Sequence, residues 1–183
     1  MSTSTLILSD PERVRVDAGG RSIGLFCRRL PARVDEKLLN ELKAFAAQYP
    51  AKNVRLCLHE GPEAPFHDMI ILERRGTFHP PHRHRLKGET WHIIEGVLGC
   101  FSFDQDGRVR ESLRLGADGN LIYRVALEDY HTAIPLTDLV IYHESKPGPF
   151  LGAEDSLVPA WAPDPADPAA VAQYLEWLVS HFP

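Results

Sequence analysis

Read for the order of apolar and polar positions, the chain falls into short alternating segments with one early helix and one late helix. Residues 22–27, 53–59, 68–75, 99–103, 109–115, 121–125, 128–131 and 139–144 carry apolar side chains at every second position or in brief apolar runs, which is the pattern of strands. Residues 13–16 form a weaker strand candidate, set off by Gly19 and Gly20. Asp104, Asp106 and Gly107 mark one hairpin turn, and Asp118, Gly119 and Asn120 another. Leu38, Leu39, Leu42, Phe45 and Ala46 recur at helical spacing behind a capping Asp35, and Tyr49 before Pro50 closes that helix. Asp167 and Pro168 open the late helix as cap and first residue, with Val171, Tyr174, Leu175, Leu178 and Phe182 as its stripe. That stripe either covers the sheets or makes a homodimer contact. The proline-rich residues 146–168 read as an extended strap. Closely spaced strands joined by hairpin turns predict an antiparallel barrel or sandwich.

Some strands have two unlike faces. In residues 53–59, Val54, Leu56 and Leu58 alternate with Arg55, Cys57 and His59. The second set either meets water or looks into a lumen. In a lumen, Arg55 can clamp a carboxylate or phosphate through its planar guanidinium. The stretch 76–96 carries the densest chemistry. His82 and His84 are one residue apart, so on a strand they point the same way. Lys87 and Gly88 form a turn, and Glu89 begins a strand that returns beside the first and aims its carboxylate at the same point. Two imidazoles and a carboxylate make a site for a divalent transition metal, with His131 as a fourth ligand from a later strand. Counting from Glu89, Trp91 and Ile93 face inward and His92 outward; Trp91 stacks on a flat ligand or packs as core. His79 precedes two prolines, breaks the alternation and reads as a surface histidine. Residues 135–138 interrupt the parity count, so His143 is either a site residue or hydrogen-bonded core. Candidates for acid–base work are His59, Tyr123, Tyr130 and Glu144. The catalytic candidates are Arg55, His59 and Tyr123, and the substrate-binding ones are Arg55, His59, Trp91 and His143.

The spacing from Gly76 through His82, His84 and Glu89 to Gly96 resembles the first cupin motif, G-x5-H-x-H-x3,4-E-x6-G, at every fixed position. His131 stands where the second cupin motif has its histidine, with Pro135 in place of that motif's asparagine. Across residues 50–165 the chain resembles the WbuC-type cupin metalloproteins associated with bacterial surface-polysaccharide gene clusters. The resemblance is carried by Arg55, Cys57 and His59, by the run from His79 to His84, by Glu89, Trp91 and His92, by Tyr130 to Thr132, by Lys146 to Phe150 and by Trp161 to Pro163. It implies a mainly β, jelly-roll-like double-stranded β-helix at 51–165, an N-terminal α/β extension at 1–50 packed on it, and a C-terminal helix at 166–183, all in one structural domain. It also implies that Arg55 and His59 face the lumen, and that one ion (Fe, Mn, Ni or Zn) is held by His82, His84, Glu89 and His131.

Three imidazoles and one carboxylate leave positions open on an iron, manganese or nickel ion. The ion then serves as a Lewis acid in isomerase- or epimerase-like chemistry on a sugar or nucleotide-sugar intermediate, or, as ferrous iron, in dioxygenase chemistry. A third reading is a non-catalytic binding or sensor module. Composition narrows the partners. With 183 residues, 44% hydrophobic, the chain suits one domain with a real core. A net charge of −5 argues against nucleic acid and leaves a small molecule as the expected partner. Three scattered cysteines, Cys27, Cys57 and Cys100, read as reduced thiols. Residues 1–8 carry no basic segment and too short an apolar run for a leader, and no run is long enough to span a bilayer, so the expectation is cytoplasmic with no membrane partner.

Overall fold

The computed structural model describes residues 8–30 and 32–182, so the leader reading on residues 1–7 lies outside the described residues. The elements run β1 Val14–Asp17, β2 Ile23–Cys27, α1 Glu36–Ala47, β3 Val54–Cys57, β4 Phe66–Arg74, β5 Glu89–Glu95, β6 Leu98–Phe103, β7 Val109–Leu115, β8 Ile122–Val125, β9 Tyr130–Pro135, β10 Leu139–Pro147 and α2 Pro168–Val179. One sheet has the order β1-β2-β3-β4-β10-β5-β8 and the other β7-β6-β9. All pairs are antiparallel except β2 with β3, and α1 supplies the crossover that a parallel pair requires. The fold is a mainly β, jelly-roll-like double-stranded β-helix, with helices on the outer faces of both sheets.

Side-chain alternation divides the apolar residues among three layers. The outer face of the large sheet, including Leu25, Val54, Leu56, Ile70 and Leu72, packs on Leu38, Leu42 and Ala46 of α1. Phe26, Met69, Ile71, Trp91, Ile93, Leu98, Leu115 and Tyr142 fill the space between the sheets. Phe101, Phe103 and Ile134 on the outer face of the small sheet meet Leu178, Tyr174 and Phe182 from the C-terminal end. Both helices begin as the sequence predicts. Asp35 accepts from the Leu38 amide at 3.0 Å, and Asp167 accepts from Ala169 at 3.0 Å and Ala170 at 3.1 Å, with Pro168 at the first turn. Between β6 and β7, Asp104 accepts from the Asp106 and Arg108 amides, and Gly107 takes a φ of +83°.

The segment holding His82 and His84 differs from its expected form. It does not pair beside β5. His82 pairs singly with His131 of β9, and Arg83 pairs singly with Leu157 of the strap. Pro80 and Pro81 have no amide proton to donate, so the ladder cannot extend backwards. The glycines at either end of this stretch both need positive φ, +87° at Gly76 and +80° at Gly96. A Cβ on Gly96 would also lie 2.4 Å from the Leu139 carbonyl oxygen. Two strands run further than predicted. β9 continues to Pro135, and β10 continues through Lys146 to Pro147, so the strap begins later than expected.

Candidate metal centre and its cavity

The four candidate ligands come from both sheets. Glu89 begins β5 of the large sheet, His131 lies on β9 of the small sheet, and His82 and His84 lie on the segment bridged to β9. One ligand atom from each lies within 4.8 Å of the others. Each imidazole is held from behind by a main-chain carbonyl. Nδ1 of His82 faces the Pro80 oxygen at 3.0 Å, Nδ1 of His131 faces Asp129 at 2.7 Å, and Nδ1 of His84 faces Asp155. A carbonyl only accepts, so each Nδ1 carries the proton and each Nε2 is left with a lone pair. Burial, with the neighbouring His131, pushes the His82 imidazole down to about 3, which keeps it neutral.

Those lone pairs converge on a carboxylate. His84 Nε2 lies 3.3 Å from one oxygen of Glu89 and His131 Nε2 lies 3.0 Å from the other, yet both nitrogens are buried without a hydrogen bond. Ring nitrogens facing a carboxylate at this range call for a proton or a metal cation between them. Burial works against ionisation of Glu89, but the neighbouring Lys146 ammonium helps to outweigh it, and the carboxyl is held well below its ordinary range. The residues therefore fit a divalent transition ion: imidazole donors each held by a carbonyl at the far nitrogen, an ionised carboxylate and a buried centre.

A cavity of about 630 Å³ adjoins the centre and is lined by His82 and Glu89. The inward row of β3 and its extension place Arg55, Cys57 and His59 on its wall, and Trp91 lines it from β5. Arg55 Nε and Trp91 Nε1 are buried without hydrogen-bond partners. His59 stacks flat on His67, with ring centroids 4.4 Å apart, and its Nδ1 lies 3.2 Å from the Asp68 amide nitrogen. Burial and the facing imidazole lower His59, and burial lowers His67.

The remaining candidates lie elsewhere. His143 is not a cavity residue. On β10, Tyr142, Glu144 and Lys146 take the inward positions, and His143 bonds Asp68 at 2.7 Å on the opposite face. Tyr123 is also absent from the cavity wall; its hydroxyl donates to Glu111 at 2.9 Å, and burial together with Glu111 pushes it up to about 12. Tyr130 packs on Trp161 on the outer face of the small sheet. His79, expected at the surface, lines the cavity; its ring is 45% exposed, and Nε2 lies 2.6 Å from Glu73 Oε1. Glu73 is 2% exposed and raises His79 toward its charged form.

Lys146, Glu73 and His67 are cavity residues that the sequence reading did not single out. Lys146 Nζ lies 2.8 Å from Glu144 and 3.3 Å from Glu89, and although burial opposes its charge these carboxylates raise its pKa. Period-two counting from Ile71, back to His67 and forward to Glu73, and on from Tyr142 to Lys146 would have found all three. The three cysteines are free and buried, and burial pushes Cys27 and Cys57 up to about 12. Among the described residues no helix is long and apolar enough to cross a membrane.

A family model described as a domain of unknown function (DUF6016) matches residues 34–115. No curated protein matches the sequence significantly. Solved structures with partial likeness include the capsular polysaccharide assembling protein CapF from Staphylococcus aureus, at 12% identity and a TM-score of 0.49, covering 57% of this chain and 29% of CapF. The Cnp3 cupin domain of Schizosaccharomyces pombe gives 14% identity and 0.42, covering 52% of this chain and 60% of that one. A variant of Bacillus subtilis oxalate decarboxylase OxdC gives 13% identity and 0.42, covering 51% and 24%. The chain spans less than two thirds of the length of each.

Proposed function

We propose that this protein is a metal-binding cupin that takes an oxygen-rich, anionic small molecule into its cavity and acts on it. In this reading one divalent transition ion is held by His82, His84, Glu89 and His131. The supporting observation is the pair of buried, unpartnered Nε2 atoms facing the Glu89 carboxylate at the edge of an open cavity. When bound, such an ion supplies a Lewis acid beside that cavity. The chain's own side chains would do the rest. Arg55 grips an anionic group, Trp91 and Met69 give an apolar wall that excludes water, and Glu144 paired with Lys146 offers a proton carrier beside the ligand set. Glu73 with His79 is a second titratable pair in the same space. These groups favour an enzyme over a sensor module. A sugar or nucleotide-sugar intermediate of surface-polysaccharide synthesis is the substrate this reading takes.

Elemental analysis of the purified chain tests the proposal. The wild type should carry about one transition-metal ion per chain and His82→Ala should carry far less. Equal metal content in both would reject the ligand set. Oxygen consumption by the ferrous protein with its ligand would replace the Lewis-acid reading with a dioxygenase.

A further inference from the structure

The cavity has a second end, away from the ligand set, and its charge is lopsided. Along β4 the inward residues run His67, Met69, Ile71 and Glu73. His67 is in register with Lys146, so it marks the level of Glu89, and Glu73 lies six residues further along β4, with His79 between it and the ligand segment: its ring meets Glu73 and its carbonyl accepts from Thr132 beside His131. At the Glu73 end the wall carries Arg21, Lys52, Arg55, Arg74 and Arg75. Glu73, the acid at this end, meets His79 through Oε1 at 2.6 Å, while its Oε2 is buried without a hydrogen-bond partner. Lys52 and Arg74 bond main-chain carbonyls and keep their charges uncompensated. Arg75 pairs with Asp138, which is 98% exposed, a weak solvated contact.

Two of these cations have no protein partner. Among the described residues neither the Arg21 nor the Arg55 side chain makes a hydrogen bond or ion pair, and Arg55 Nε is buried. Arg55 is opposite Ile71 on β4, so Glu73, two residues on, is its diagonal neighbour on the same face, at the usual spacing of about 7–8 Å. A partly buried arginine beside a buried glutamate ordinarily pairs with it. Here one oxygen of the glutamate faces His79, the other is bonded to nothing, and the guanidinium reaches neither of them. The concentration of cations is also at odds with a chain whose net charge is −5.

We infer that this end of the cavity is a phosphate-binding mouth and that the ligand is phosphorylated, with its phosphate between Arg21 and Arg55 and its hydroxyl or carbonyl oxygens directed toward the metal centre. The direction of the ligand rests on the metal reading above; the phosphate mouth does not. Arginine suits the task because its fork matches phosphate oxygens two at a time.

Calorimetry on the full chain purified with its metal tests this with three probes at fixed ionic strength: D-glucose 1-phosphate, methyl phosphate and D-glucose. Glucose 1-phosphate should bind about tenfold or more tighter than glucose, with methyl phosphate competing for the same place. Arg55→Met should reduce glucose 1-phosphate affinity by about tenfold or more without changing metal content. Arg21→Gln, at an exposed position that the fold does not need, should weaken it by a smaller factor and flatten its salt dependence. Equal affinity for glucose and its phosphate, no binding of either phosphate, or unchanged affinity in Arg21→Gln would each overturn the mouth. A wild-type chain that holds no metal as purified, and takes none up when it is supplied, yet still binds glucose 1-phosphate would instead overturn the metal reading and leave the mouth standing.

Discussion

Lys146 is the residue whose removal separates two effects that usually travel together. Its ammonium sits between Glu144 and the ligand Glu89, so it stabilises two buried carboxylates but also repels any cation placed among the imidazoles. Lys146→Met should therefore lower the melting temperature of the metal-free protein, as breaking a buried pair costs about 3–5 kcal/mol, while tightening its hold on metal. Thermal melts with and without metal check this: the gap between them should widen, and a gap that narrows would contradict the assignment. The stacked His59 and His67 set a pH dependence. Both imidazoles are lowered in the folded chain, chiefly by burial, below the ordinary 6.5. The unfolded chain then takes up protons first as pH falls, so stability is full above that value and drops as pH passes down through the folded pKa values. In metal-free protein, a His59→Gln/His67→Gln variant should lose less stability than wild type between about pH 7 and pH 5. Three of the four clustered candidates were legible in sequence because their spacing is local: period two places His82 with His84, and a turn residue announces Glu89; His131 was legible only as a histidine of a later strand. Glu73 and Lys146 were not singled out because their direction depends on which strand face meets the lumen. For His143 the count was broken by the turn before β10, and His79 was misplaced because Glu73, its partner, comes from another strand.

At the scale of elements, the strap is tied to the centre by one buried ion pair. Lys87, on the loop between His84 and Glu89, donates to the Asp155 carboxylate and to the Pro149 carbonyl, and the Asp155 carbonyl in turn accepts from His84. Both side chains of the pair are nearly inaccessible to water. Lys87→Met leaves the Asp155 carboxylate buried without its cation, which should cost about 3–5 kcal/mol and release residues 148–157. Hydrogen exchange should speed at the Leu157 amide, which now donates to Arg83 at 2.9 Å, and metal affinity should fall with it. Both helices and most strands could be read from periodicity and caps. The bridge from the His82 segment to β9 could not, because it joins residues 49 apart in sequence.

For the whole molecule, the layered arrangement keeps stability and site chemistry apart. α2 packs on the outer face of the small sheet, while the ligands and cavity lie between the sheets. Leu178→Ala, at a fully buried position, should cost about 2–5 kcal/mol and leave metal stoichiometry unchanged in the folded fraction. Denaturant melts with parallel elemental analysis would expose a link between the two if the metal were lost as well. The three imidazoles take their aim from the oxygens of residues 80, 129 and 155, which belong to the main chain. Nature can exchange the side groups at those places, proline apart, without turning a ring. Among the described residues, Lys146 is the only outside side group hydrogen-bonded to a member of the quartet. Drift in sequence can thus alter the charge an ion feels from that position, but it has little purchase on where the rings point.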